Sequence, residues 1–500
     1  MRQMCGQAVY SRATRPKRNQ TPYRKIDMNK VFKVIWNHAT QTWTAVSEIS
    51  HAHGKKSASD KRKAVAAAIA AAGALMASAG AEAGASYGGS AVNIAPDAYN
   101  GSNNVGKNSV VVGYQNTASA ADGTIAYGAN NTANAETALA VGNNNRAINV
   151  NTVAIGTNTL ASGDSSVAVG KLTEATAIRA TAVGNRATAT VDSASAFGNR
   201  ATANGQFATA VGDNTTAGAA AVAVGTHANA TAQDSVAVGN NSNGSGTNAI
   251  AVGKDTVASQ DHALAMATEA KAIGVQSVGI GSYSNASADS SVALGQEAKA
   301  GGSTLNDKGK FSGTAAVAVG YLANASAANT VATGKSAAAS VDNAAAFGVQ
   351  SNASARSATA LGGYSAASAE RATAVGAASK ATGTASFAGG TSANAAGVNS
   401  VAVGGSMTPA EAAQAVGNNS IAVGSKSSAK QTADVAVGHG ATANGTSTGT
   451  NAEGATNNAG SAMAIGTEAQ ATGIVATAIG ERAQALANGA VALGGDAQAK

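Results

Sequence analysis

Asp234-Ser-Val-Ala-Val-Gly239 reads DSVAVG, and close copies stand at 248–253 (NAIAVG) and 220–225 (AAVAVG). Six residues with so little chemistry in them, written again and again, point to architecture. With the closing glycine as a marker, the motif begins at Gly113, passes through Gly142, Gly156, Gly170, Gly184, Gly198, Gly212, Gly225, Gly239 and Gly253, and runs on to Gly494; Ala267 fills one marker slot. Of the 25 intervals between the 26 markers, 20 are 14 residues long, a register that a disordered chain does not keep.

Slots counted from the marker show what the repeat builds. One residue before it stands a Val, Ile, Leu, Phe, Met or Tyr in 24 of 26 copies, and two before it an alanine in 24 of 26. Three before it the residue is again mostly a larger aliphatic or threonine. Such alternation is the period-two signature of a strand. After the glycine a second alternation follows, as in Gly198-Asn-Arg-Ala-Thr-Ala203 and Gly480-Glu-Arg-Ala-Gln-Ala485, with alanine at three and five and polar residues between. Fourteen residues therefore make two strands and two tight turns, glycine supplying the turn conformations.

A unit this small buries its larger residues by stacking on the next, parallel strand on parallel strand. The fold class is all-β, a parallel solenoid of 14-residue coils, and at roughly 4.8 Å per strand 26 coils give a rod on the order of 125 Å. We take the larger side chains of the first strand to face inward, against the alanines of the second. The alanine column two before the glycine then lies outside and invites a covering copy of the chain. The competing arrangement is alanine inside. In both, slots two and four after the glycine meet water.

Longer connections interrupt the register at 296–316, 405–418 and 439–460. In the second, Thr408 as N-cap and Pro409 at the first helical position predict a short helix within 407–415. The third is rich in Gly and Asn and skips a coil.

Composition limits the function. Aromatic residues are 3% and charged residues 12% of the 500-residue chain, so a core built on large rings is excluded. The formal charge of +7 is unevenly placed: residues 1–63 carry +11 and residues 64–500 carry −4. The body lacks the clustered cations that phosphate contacts need, which argues against a nucleic-acid partner. Cys5 is the single cysteine, so the body forms no disulfide.

The leader has its own logic. Residues 55–63, KKSASDKRK, precede an alanine-rich apolar run that ends in small-x-small triplets. That is the pattern of an export signal, with cleavage expected after Ala83 in Ala81-Glu82-Ala83; the apolar run is short of the roughly 20 residues of a spanning helix. Residues 84–107 read as a lead-in or cap, and residues 108–500 as the repeats. Upstream, MNKVFKVIWN from Met28 and TWTAVSE from Thr42 form a basic, aromatic segment that holds both tryptophans. The leader is expected to be helical or disordered.

These residues carry a resemblance. SVAVG (166–170, 235–239, 400–404), SIAVG (420–424) and TAVGNRATA (181–189) resemble the YadA-like heads of trimeric autotransporter adhesins. Residues 28–54 resemble the extended signal-peptide region of very large autotransporters, which makes Met28 the expected start and 1–27 an over-called beginning. The resemblance implies a left-handed parallel β-roll, a homotrimer, an export machinery that reads the leader, and display on a Gram-negative surface where the head binds host extracellular matrix proteins or cells. Such proteins continue into stalks and a C-terminal anchor. This chain stops at Gly494-Gly-Asp-Ala-Gln-Ala-Lys500, within a repeat, and is expected to be a fragment or a truncated product, surface-displayed if the longer protein has its anchor and otherwise secreted or periplasmic.

Other chemistry finds little support. His227, His262 and His439 are far apart and form no ligand spacing, so neither a metal nor a cofactor is expected. Ala332-Thr-Gly-Lys-Ser336 looks like the end of a phosphate loop, but Asn329 stands where the first glycine belongs. The alternatives are a β-solenoid carbohydrate-active enzyme, which needs convergent acids and bases, and an ice-binding scaffold, which needs an unbroken threonine ladder. Thr181, Thr209, Thr359, Thr373 and Thr477 share a slot three before the marker but are discontinuous, and on the chosen facing they look inward. No catalytic residue is expected. The candidate ligand-facing residues are those in the solvated slots: Arg186, Thr188, Arg200, Thr202, His227, Asn229, Arg482 and Gln484.

Overall fold

The computed structural model describes residues 108–118, 122–302, 314–446 and 460–500, together with the backbone of Phe32–Asn37, Thr42–Ser47 and Val92–Ile94. The cleavage site at Ala81 and Ala83 lies outside the described residues. In the leader, where helix or disorder is expected, Phe32–Asn37 and Thr42–Ser47 form an antiparallel pair whose register sets Trp36 opposite Trp43. Val, Ile, Phe, Trp and Thr, which favour a pleated backbone, account for that choice.

The body is a parallel β-solenoid. Each coil contributes a first strand, which ends one residue past its marker in the first six coils and one residue before it in the others, and a two-residue second strand, at slots four and five except after Gly404, where it is Gln414–Ala415. Each strand pairs in parallel with its equivalents in the neighbouring coils. Ala168, for example, lies between Ala154 and Ala182 on the first sheet, and Ala203 between Ala189 and Ala217 on the second. The repeats keep identical slots in register through the longer connections: Val292 pairs with Val317, Val401 with Ile421, and Val435 with Met463. Of the short helix expected in 407–415, one 3-10 turn forms at Pro409–Glu411, with proline at its start and no side-chain cap from Thr408.

The facing of the strands is the reverse of the expected one. Alanines two before the marker, such as Ala140, Ala182, Ala237 and Ala374, are fully buried, as are the alanines at slots three and five of the second strand. The valines, isoleucines and phenylalanines beside them are half-buried or exposed: Val211, Ile250, Phe347 and Leu361 lie on the outside. The threonine slot of Thr181, Thr209, Thr359, Thr373 and Thr477 likewise faces out.

The reason is the thinness of the coil. The two sheets are joined by turns of a few residues and lie back to back. At two inward slots where glycine replaces alanine, a Cβ would come within 2.4 Å (Gly279 to the Lys271 carbonyl oxygen) and 2.7 Å (Gly244 to that of Val236) of the opposite strand. At these two points even one methyl group would force a shift, and at the equivalent slots of other coils alanine fills the gap and leaves no room for a valine. The interior is accordingly an alanine column, running from Ala126 to Ala237, Ala249 to Ala272 and Ala286 to Ala492. The breaks fall where Ser and Gly take the inner slots, at Ser242, Gly244, Ser277, Gly279 and Ser284.

The marker glycine is required on two counts. In the copies from Gly142 to Gly253, φ lies between +121° and +141°. In addition, a Cβ on Gly142 or Gly239 would sit 2.0 or 2.2 Å from the carbonyl oxygen of the next marker along the rod. Ala267, the one non-glycine marker, holds φ at +97°, outside the regions open to L-residues.

Near the N-terminal end the inner column is polar and bonded along the axis. Asn131 donates its backbone N–H and its side-chain Nδ2 to Asn116 Oδ1 (2.9 and 3.0 Å), and Asn145 does the same to Asn131 Oδ1 (3.1 and 2.9 Å). Thr159 continues the ladder to Asn145 Oδ1. Each asparagine also donates to the carbonyl of the next coil's marker: Asn116 to Gly128, Asn131 to Gly142 and Asn145 to Gly156. Burying these amides is tolerable because their hydrogen-bonding groups find partners within the stack.

Candidate adhesive surface

The coil geometry leaves four outward-facing zones: the outer face of each sheet and the two turn edges. On the first sheet, slots one and three before the marker face out. None of the 52 residues in these slots is charged. The column is Val, Ile, Leu, Met, Phe and Thr almost throughout, a continuous apolar stripe the length of the rod. On the second sheet, slot four faces out, and its residues are mostly Thr, Asn, Gln, Lys and Arg.

The candidate residues occupy the second sheet and the adjoining edge. Arg186, Arg200, His227 and Arg482 sit in the turn after the marker, all exposed, with φ between +53° and +56°. Left-handed backbone is costly for such side chains, and the tight turn imposes it. Thr188, Thr202, Asn229 and Gln484 are half-buried on the second strand. Neighbouring coils bring some of them together: Thr188 is in register with Thr202, beside Arg186 and Arg200. Asn229 lies between Thr216 and Asn243. Arg482 and Gln484 stand near the far end, in register with Asp496 and Gln498 respectively.

The local electrostatics are those of a solvated surface. Arg482 donates Nε to Asp496 Oδ1 (2.7 Å) and Nη2 to Oδ2 (3.1 Å), one coil away. The hydrogen bonds and charge of that guanidinium hold the Asp496 carboxyl below the usual carboxylate range. Both groups are exposed, so screening limits what the pair contributes. Smaller ladders of the same kind join Asn144 to Asn158, Asn199 to Asp213 and Asn241 to Asp255. Among the described residues no group of His, Cys, Asp or Glu could hold a metal ion.

The sequence reading missed two features of this surface. Asn214, Thr216, Asn241, Ser242 and Asn243 join His227 and Asn229 around a depression of about 380 Å3; their shared slots, two to four after three successive markers, were the available signal. The apolar outer stripe was read as core.

A rod with one uncharged apolar face and one polar face belongs to the class of repetitive β-solenoid scaffolds. Comparison with known families gives that class a family. The YadA head domain repeat matches the chain in fourteen segments from 105–131 to 476–497, which together cover more than half of it, and the Extended Signal Peptide of Type V secretion system matches 28–78. The chain belongs to the YadA-head family, and the two matches together are the hallmarks of trimeric autotransporter adhesins. A search of curated proteins finds no match. The leader directs export.

Proposed function

We propose that the chain is the head of a homotrimeric, surface-displayed adhesin that binds host extracellular matrix proteins or cells and performs no catalysis. The observation that carries the assembly is the outer face of the first sheet: 52 slots without a charge, on a chain whose coils are otherwise rimmed with polar residues. Soluble monomers rarely expose so large a continuous apolar patch. Copies packed through that face cover it and leave the polar face and edges outward, with Arg186, Thr188, Arg200, Thr202, His227, Asn229, Arg482 and Gln484 available to ligand. A repeated surface on several chains lets weak contacts add through multivalency. The family and the export signal support display on the outer membrane.

Sedimentation of the purified chain, paired with solid-phase binding to collagen, fibronectin, laminin and whole cells, tests this. The expected result is a three-chain particle that binds at least one surface above a control with its polar face rewritten. A particle of that size that binds none of them removes the adhesive role.

A further inference from the structure

We infer that the depression around Asn229 is a subsite for an uncharged saccharide. This names a ligand class for the adhesive surface and so rests on the adhesive reading. The depression spans the coils of Gly212, Gly225 and Gly239. Its wall is the turn residues Asn214, His227 and Asn241, and its floor the second-strand residues Thr216, Asn229 and Asn243 with Ser242.

Three observations select the ligand. First, no lining side chain is an acid, lysine or arginine, although the flanking coils carry Arg200 on one side and Lys254 and Asp255 on the other. The Asp255 carboxylate borders the window and accepts from Asn241 Nδ2 (2.8 Å), while the lining itself is amide, hydroxyl and imidazole. Second, the lining is mostly amide and hydroxyl, groups that donate and accept at once and so match vicinal hydroxyls. Third, Asn243 Oδ1 has no hydrogen-bond partner in the chain, and rotation of this half-buried amide would turn the acceptor out to a ligand hydroxyl. Successive floor residues repeat at about 4.8 Å, the strand spacing, comparable to one pyranose ring, so a short glycan laid along the axis meets one polar side chain per sugar.

Saturation-transfer NMR on the purified chain tests the assignment. The probes are neutral mono- and disaccharides of glucose, galactose, mannose and N-acetylglucosamine, with sialylated and sulfated counterparts alongside. The expected result is transfer from at least one neutral sugar with roughly millimolar affinity, weakened at least tenfold in Asn229→Ala and Asn243→Ala. Asn352→Ala, the same residue in the same slot on a distant coil, keeps full binding. Ala338 and Ala366 occupy that slot naturally, so the variants are expected to fold, and unchanged far-UV circular dichroism checks it. Transfer only from charged sugars, transfer from none, or equal loss in Asn352→Ala overturns the inference. Matrix and cell binding measured on the same preparations separates the two readings. A head that binds cells but no neutral sugar loses this subsite alone, and one that takes the sugar but binds no matrix or cell loses the adhesive role.

Discussion

The two outer faces of the roll are made by the same short strands yet differ in kind. Both sheets turn alanine inward onto a core one methyl deep. On the first sheet the outward slots carry Val238, Ile250, Phe347 and their equivalents; on the second they carry Thr188, Asn229, Lys271 and Gln484. Burial inside the coil therefore does not explain where the large aliphatics are. In this fold the monomer core is satisfied by alanine and stacked backbone hydrogen bonds, and the larger apolar groups are left for contact with something outside the coil. Under the proposed function the contrast separates an assembly face from a recognition face.

The corner that divides the faces is the most sensitive point. Gly239→Ala places a methyl 2.2 Å from the Gly253 carbonyl oxygen at a φ of +132°, and we expect a loss of about 3 kcal/mol or more in thermal or denaturant unfolding. The inside and outside of one strand come next. Ala237→Val overfills the core and is expected to cost about 1–3 kcal/mol, whereas Val238→Ala, one residue away, leaves the isolated chain within about 1 kcal/mol of the original and weakens self-association. Equal costs for the two would erase the distinction between core and outer face.

Asn131→Ala removes the middle of the polar ladder and strands the Gly142 carbonyl and the Asn145 N–H. A loss of about 1–3 kcal/mol is expected, seen as faster amide exchange confined to the coils of Gly128 and Gly142. The smallest effect is a gain: Ala267→Gly relieves the one marker with a side chain at positive φ, and the midpoint should rise by the equivalent of about 1 kcal/mol.

Much of this architecture is legible in the sequence. The glycine marker fixes the period, the alternation fixes the strands, and the +2 and +4 slots identify the solvated side chains. The facing was misjudged because size was taken as a guide to burial. The better signal was tolerance. The slot two before the marker accepts almost nothing but alanine, the mark of confinement, while the slot three before it holds Ala345, Thr359 and Phe387 in nearby coils, a range that only an open position admits. The buried Asn116, Asn131 and Asn145 were illegible because asparagine is ordinarily exposed, and only the axial stack supplies their partners. The depression escaped notice since it belongs to three coils jointly.

The most direct test of the inverted strand is a pair of charges placed on its outer side, Val238→Asp with Val252→Asp, followed by sedimentation and far-UV circular dichroism. If these valines form an assembly face outside the alanine core, the β spectrum persists and the three-chain particle falls apart into single chains. A collapsed spectrum would put the valines back in the core, and an intact trimer would show that the subunits meet elsewhere.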